Sequence, residues 1–126
     1  MLRIVQLGSP RARNEGPRIG AVRRPPRGIP KRLFATLDYY DVWFPLLAPS
    51  AELLAATHAG ELTFAQYARR YRSEMKARDP RQAIELLAAL SRRTNLSIGC
   101  YCEDESRCHR SLLRELLAGC GAELRR

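Results

Sequence analysis

Between Leu96 and Leu117 the apolar residues change their spacing, and that change constrains the fold more than any other stretch of the chain. Leu96, Ile98, Cys100 and Cys102 alternate with Ser97, Gly99 and Tyr101, which is strand periodicity and sends the first four to one face. Leu112, Leu113, Leu116 and Leu117 then recur at three and four residues, the buried stripe of a helix. Between them lies the acidic loop Glu103-Asp104-Glu105, and the helix opens on Cys108-His109-Arg110. Cys102 is thereby expected at the carboxyl end of a strand. In open α/β sheets ligands gather outside those ends, beside the first turn of the next helix, whose free N–H groups favour anions. His109 falls near the middle of the helix's buried face and Cys108 and Arg110 on its edges. Helix side chains lean toward the N-terminus, so all three tilt back toward the loop.

The rest of the chain reads around this unit. Leu2 to Leu7 predicts a first strand, stopped by Gly8-Ser9-Pro10, and residues 18 to 23 predict a short second one. The following RPPRGIPKR segment excludes a helix or a central strand through Pro25, Pro26 and Pro30, and its stiffness holds Arg23 and Arg27 in a defined direction. Leu33 to Pro49 is rich in apolar and aromatic residues and reads as irregular cover over one sheet face, with Trp43 as a core or lid residue. Ser50 predicts the cap of a short helix through Thr57 that Gly60 stops, with His58 as a charge partner for its C-terminus. Thr63 to Gln66 forms a capping box before a stripe of Phe64, Tyr67, Ala68, Tyr71 and Met75, read as core. Asp79-Pro80 predicts a further start with Pro80 at the first helical position, ahead of Ala83, Ile84, Leu87 and Leu90. The order predicts one compact α/β domain over residues 1–126, with a small, partly parallel sheet and helices packed on it. Three strands make a thin sheet, so a fourth is expected between Thr36 and Phe44 or at Ala122 to Leu124.

A chain of 126 residues buries roughly two thirds of its unfolded surface without disulfides. The four cysteines lack the even spread of a secreted scaffold, and no positively charged lead precedes a long apolar run. A cytoplasmic protein with reduced thiols and no membrane span is expected. The net charge is +9, and nine basic residues up to Arg32 face a single acid, Glu15. Such a segment attracts phosphates of a nucleotide, a nucleic acid or a small anion, or else is a solvated loop. The stacking aromatics of a single-strand binder are not evident beside it.

The cysteine cluster admits several chemistries. Adjacent Cys108 and His109 rarely converge on one ion and paired C-x2-C knuckles are absent, so no metal is expected, and no cofactor. Cys102 sits where a phosphatase thiolate would, but Arg107 follows after four residues instead of five, and the acidic loop repels an anion and raises the thiol pKa. Cys108, between Arg107 and Arg110, has the better setting for a lowered pKa, and a redox pair of Cys102 with Cys108 is open. Cys100 and Cys120 read as small buried apolar residues.

The run GCYCEDESRCHR, with Cys102, Glu103, Cys108, His109 and Arg110, resembles the C-x-E…C-H-R signature of the domain of unknown function 488 family. Arg23, Pro26, Arg27 and Gly28 resemble that family's R-x-x-P-R-[SG] element, while Leu47-Ala48-Pro49-Ser50 and residues 70–74 resemble its YeaO-like branch. Ala21 and Val22 stand where many members carry an aspartate. The resemblance implies an α/β fold and a shared site, and carries no particular reaction.

Together these readings lead to the expectation of an anionic small molecule or nucleic acid bound between the Arg23/Arg27 loop and the Cys102–Arg110 turn. Arg23, Arg27 and Arg110 supply charge, and Cys102 and Cys108 line the anion's near side. His109 moves a proton and Glu103 orients an arginine or acts as base, so Cys108, His109 and Glu103 are the catalytic candidates. Two other classes remain open: a non-catalytic nucleic-acid-binding accessory protein, and a thiol redox module using Cys102 and Cys108.

Overall fold

The computed structural model describes residues 1–125. The strands are β1 (Leu2–Gln6), β2 (Arg18–Gly20), β3 (Val42–Trp43), β4 (Leu96–Cys100) and β5 (Leu124–Arg125). The helices are α1 (Ala51–His58), α2 (Phe64–Met75), α3 (Arg78–Ser91) and α4 (His109–Gly119). The alternation ending at Cys100 produces β4, which is buried along its whole length because it lies at the centre of the sheet β3-β2-β4-β1-β5. Every pairing is parallel, with Ile98 level with Ile4 on one side and Ile19 on the other. The sheet is thus wholly parallel, where a partly parallel one was expected. Each strand is reached by a long excursion, and no hairpin turn is available to reverse a neighbour.

Leu2, Leu96 and Ile98 pack with Leu53 of α1, Tyr71 of α2, Ile84 of α3 and Leu113 of α4 in one core, so all four helices cover the same sheet face. Full burial of such side chains contributes about 1.5–3 kcal/mol each. The other face is covered by irregular chain. There Gly20 admits the Tyr40 ring, and a Cβ in its place would stand 2.5 Å from it. Arg18 lies fully buried on this side, paired to Glu15 at 2.8 Å, while its Nη1 donates to the carbonyls of Ser9 and Asp38. Ser97 of β4 donates its hydroxyl proton to the same Glu15 carboxylate at 2.7 Å.

Burial alone would raise the Glu15 pKa, but hydrogen bonds from Arg18, Ser97 and the Ala12 N–H outweigh it and hold the carboxyl at about 2, below its usual 4.5. A depressed folded-state pKa contributes stability that is complete above the unfolded value and disappears as pH falls toward the folded one. We expect thermal melts of the wild-type chain to lose stability between about pH 4.5 and pH 2, and the loss to be smaller in Glu15→Gln.

Several local expectations need correction. The second strand stops at Gly20, because Ala21 and Val22 already turn toward the sheet's carboxyl edge, although the Ala21 N–H still donates to Gly99. A fourth strand was expected at one of two places, and both contribute a two-residue edge. Helix α3 begins at Arg78, ahead of Pro80, which occupies the third helical position where a missing N–H still costs nothing. Trp43 is an exposed edge residue whose indole N–H donates to Val22. The Ser50 cap and the Thr63/Gln66 capping box form as read. Among the described residues no helix is long and apolar enough to cross a membrane.

Candidate functional site

Beyond the carboxyl ends of β2 and β4 lies a cavity of about 1180 Å³. The segment after β2 supplies Arg24, Pro26 and Arg27 to its wall, and the turn after β4 supplies Cys102, Arg107, Cys108 and His109. These segments, some eighty positions apart, meet as expected. Tyr101 joins them directly, donating its hydroxyl proton to the Arg24 carbonyl at 2.9 Å. The opposite wall is Leu54 and His58 of α1, Leu62, and Phe64 and Tyr67 of α2.

The arginines divide into two kinds. Arg23 sends its guanidinium to the carbonyls of Pro45, Ala48 and Pro49 at 3.0 to 3.3 Å, so its donors hold a turn. Arg110 is buried, lies off the cavity wall and donates to the Cys102 carbonyl, which pins the end of the β4 segment. Both were candidates for binding charge, and both have structural work because backbone carbonyls lie within their reach. Arg24, Arg27 and Arg107 are exposed on the wall, and among the described residues none has a carboxylate or side-chain hydrogen-bond partner.

One carboxylate of the acidic loop is paired to a cation. Glu105 forms a bidentate pair with Arg114 at 2.9 and 3.1 Å, and Asp104 accepts from Ser106, which lowers its pKa. Glu103 is exposed and off the wall, so the structure does not bring it to the cavity with the thiols.

The sulfur atoms of Cys100, Cys102 and Cys108 all lie within 4.8 Å of one another, with Cys100 and Cys108 at 3.0 Å, and all are free thiols. Cys100 and Cys108 are buried and Cys102 is exposed to the cavity. Hydrogen bonds from Cys100 and then Cys108 lower the Cys102 pKa, with help from the charge of Arg110. The thiol of Cys100 is pushed up in return, first by the proton it gives to Cys102. For Cys108 the contact with Cys100 pulls down, but its bond to Cys102 and its burial give a net rise. Within the cluster the shift is downward at Cys102 and upward at Cys100 and Cys108, so the cavity-facing thiol is the one most readily ionised, where the flanking arginines had favoured Cys108. Arg107 lines the cavity and the Arg110 guanidinium donates to the Cys102 carbonyl, so the help that Cys108 receives from its neighbours comes from the Arg110 backbone N–H.

His109 is buried and its pKa is lowered by burial, which keeps the ring neutral. Its Nε2 lies 2.8 Å from the Ala21 carbonyl and must carry the proton, leaving the Nδ1 lone pair toward the Cys108 sulfur at 3.5 Å. The imidazole can accept a proton from Cys108 without moving.

Sequence reasoning missed His58, Phe64 and Tyr67 as wall residues. Phe64 and Tyr67 carry the helical spacing of core, and nothing in that spacing tells a cavity from a filled interior. Cys120 is exposed and apart from the cluster, against the buried place expected for it.

The segments 47–50 and 70–74 meet as one clamp. Tyr71 donates to the Leu47 carbonyl at 2.7 Å, while Glu74 accepts from the Ser50 N–H at 2.9 Å and from its hydroxyl. This clamp seats α1, and Arg23 grips the same turn from the other side. A family model, DUF488-N3a, described as the active DUF488-N3 subclade, matches residues 2–121. No curated protein and no solved structure matches the chain.

Proposed function

This chain belongs to the DUF488 family, and we propose that its cavity binds a phosphate-bearing ligand of nucleotide type, with Arg27, Arg24 and Arg107 as the anion contacts. The observation that carries the reading is the unpaired state of these three guanidiniums on the wall that also holds Cys102 and His109. Charge-assisted bonds from arginine to phosphate are strong, and a concave site excludes competing water. The facing wall of Phe64, Tyr67, Leu54 and Leu62 suits an apolar or planar group larger than a bare ion. The matching subclade is described as active, which favours an enzyme in which Cys102 faces the cavity as nucleophile and His109 accepts the proton of Cys108.

The test is calorimetric titration of the wild-type chain and Arg27→Ala with a panel of nucleoside monophosphates. A hydrogen bond to a charged group is worth about 1.5–3 kcal/mol, so Arg27→Ala is expected to weaken binding roughly tenfold or more. Unchanged affinity removes Arg27 from the site. A short oligonucleotide titrated over a salt series tests the accessory-protein alternative, since several phosphate contacts give a steep loss with salt and a pocket ligand a shallow one.

A further inference from the structure

We propose that Cys100, Cys102 and Cys108 form a three-thiolate site for a thiophilic divalent cation, zinc(II) fitting best, with a fourth coordination position facing the cavity. Zinc–sulfur bonds of about 2.3 Å at tetrahedral angles separate bound sulfurs by roughly 3.8 Å. The three sulfurs already lie within 4.8 Å of one another, so the 3.0 Å contact between Cys100 and Cys108 has to open by less than an ångström and the other two spacings have to close by no more than about an ångström. Cys100 ends the central strand and Cys108 caps α4, so two regular elements hold two of the ligands, while Cys102 stands in the turn two residues beyond the strand with its carbonyl held by Arg110. Three protein ligands and an open position are the arrangement of a reactive zinc site, whereas four closed ligands make a structural one.

The donor set discriminates among ions. Sulfur rejects calcium and magnesium, which require oxygen, and no carboxylate joins the cluster. Zinc(II) with three thiolates carries a net charge of −1, and a buried charge needs a partner. Arg110 is that partner: it is almost fully buried, it anchors the Cys102 carbonyl, and its Nε–H has no hydrogen-bond acceptor. Spacing in the sequence argued against a metal because adjacent Cys108 and His109 rarely converge on one ion and Cys100 lies deeper in the strand, whereas the fold brings the Cys100 and Cys108 sulfurs to 3.0 Å. The third ligand is Cys100, supplied by strand alternation. The site does not depend on the arginines binding a nucleotide, but it takes Cys102 as a ligand in place of its role as a free nucleophile.

The test uses the full chain, reduced, freed of metal with a chelator and titrated anaerobically with cobalt(II). We expect one equivalent to produce a thiolate-to-cobalt charge-transfer band and the intense visible bands of a tetrahedral site, both erased by added zinc(II). Cys102→Ser, the ligand exposed to the cavity, is expected to weaken cobalt affinity at least tenfold with an unchanged circular dichroism spectrum. Cys120→Ser is expected to behave as wild type. The proposal is overturned by a wild-type chain that develops no charge-transfer band, by a band that survives Cys102→Ser at full affinity, or by one that needs Cys120. It is equally overturned if native mass spectra of the reduced, cobalt-exposed chain show a disulfide and no bound ion.

Discussion

Arg18→Met is expected to destabilise the chain by about 3–5 kcal/mol, because it strands the Glu15 carboxylate in the interior without its cation. For a chain of this size that corresponds to a fall in melting temperature of roughly 10–20 °C. The same substitution frees the carbonyls of Ser9 and Asp38, which Arg18 holds together over the sheet. Thermal denaturation at neutral pH reads the effect directly. Glu15→Gln combined with Arg18→Met removes both charges and is expected to recover part of the loss, since replacing a whole buried pair costs less than breaking it. A double variant no more stable than Arg18→Met would mean that the two side chains are not coupled.

Gly99→Ala is the second large effect. The added Cβ would lie 2.1 Å from the Val5 carbonyl oxygen, a backbone atom of the neighbouring strand that cannot rotate away. The strands β1 and β4 must separate where Val5 faces Gly99, directly below the thiol cluster, and we expect a cost of about 3 kcal/mol, the upper end for overpacking. Gly20→Ala meets the Tyr40 ring at 2.5 Å, a side chain able to yield, and is expected to cost less. Melting temperatures of the two variants give the order, and the reverse order would show that β1 gives way more easily than the aromatic ring.

Much of this was legible because the period of the apolar residues changes from two to three and four around the Cys102 loop. A change of that kind belongs to local chain geometry, and it placed β4 and α4, although β4 stops at Cys100, two residues short of the Cys102 end that the alternation predicted. The caps at Ser50 and Thr63 were legible for the same reason, since their partners lie three residues away. The edge strands were less so. Val42 and Trp43 extend because β2 lies beside them, and two residues carry no period of their own.

The site was legible as a meeting of two segments but not in its division of labour. Arg23 and Arg27 look alike in a sequence, and only the position of the 45–49 turn decides that one holds carbonyls while the other stays free. The thiol triangle depended on Cys100, whose sulfur approaches Cys108 only when the turn folds back over the strand end.

The grip of Arg23 on the carbonyls of Pro45, Ala48 and Pro49 ties the seat of α1 to the segment that carries Arg27. The far side of that seat is latched by Tyr71 and Glu74. Both parts line the cavity, so a guest bound there as proposed would rest against the joined piece. Tyr71→Phe should therefore shorten the guest's residence time while leaving every atom it touches in place.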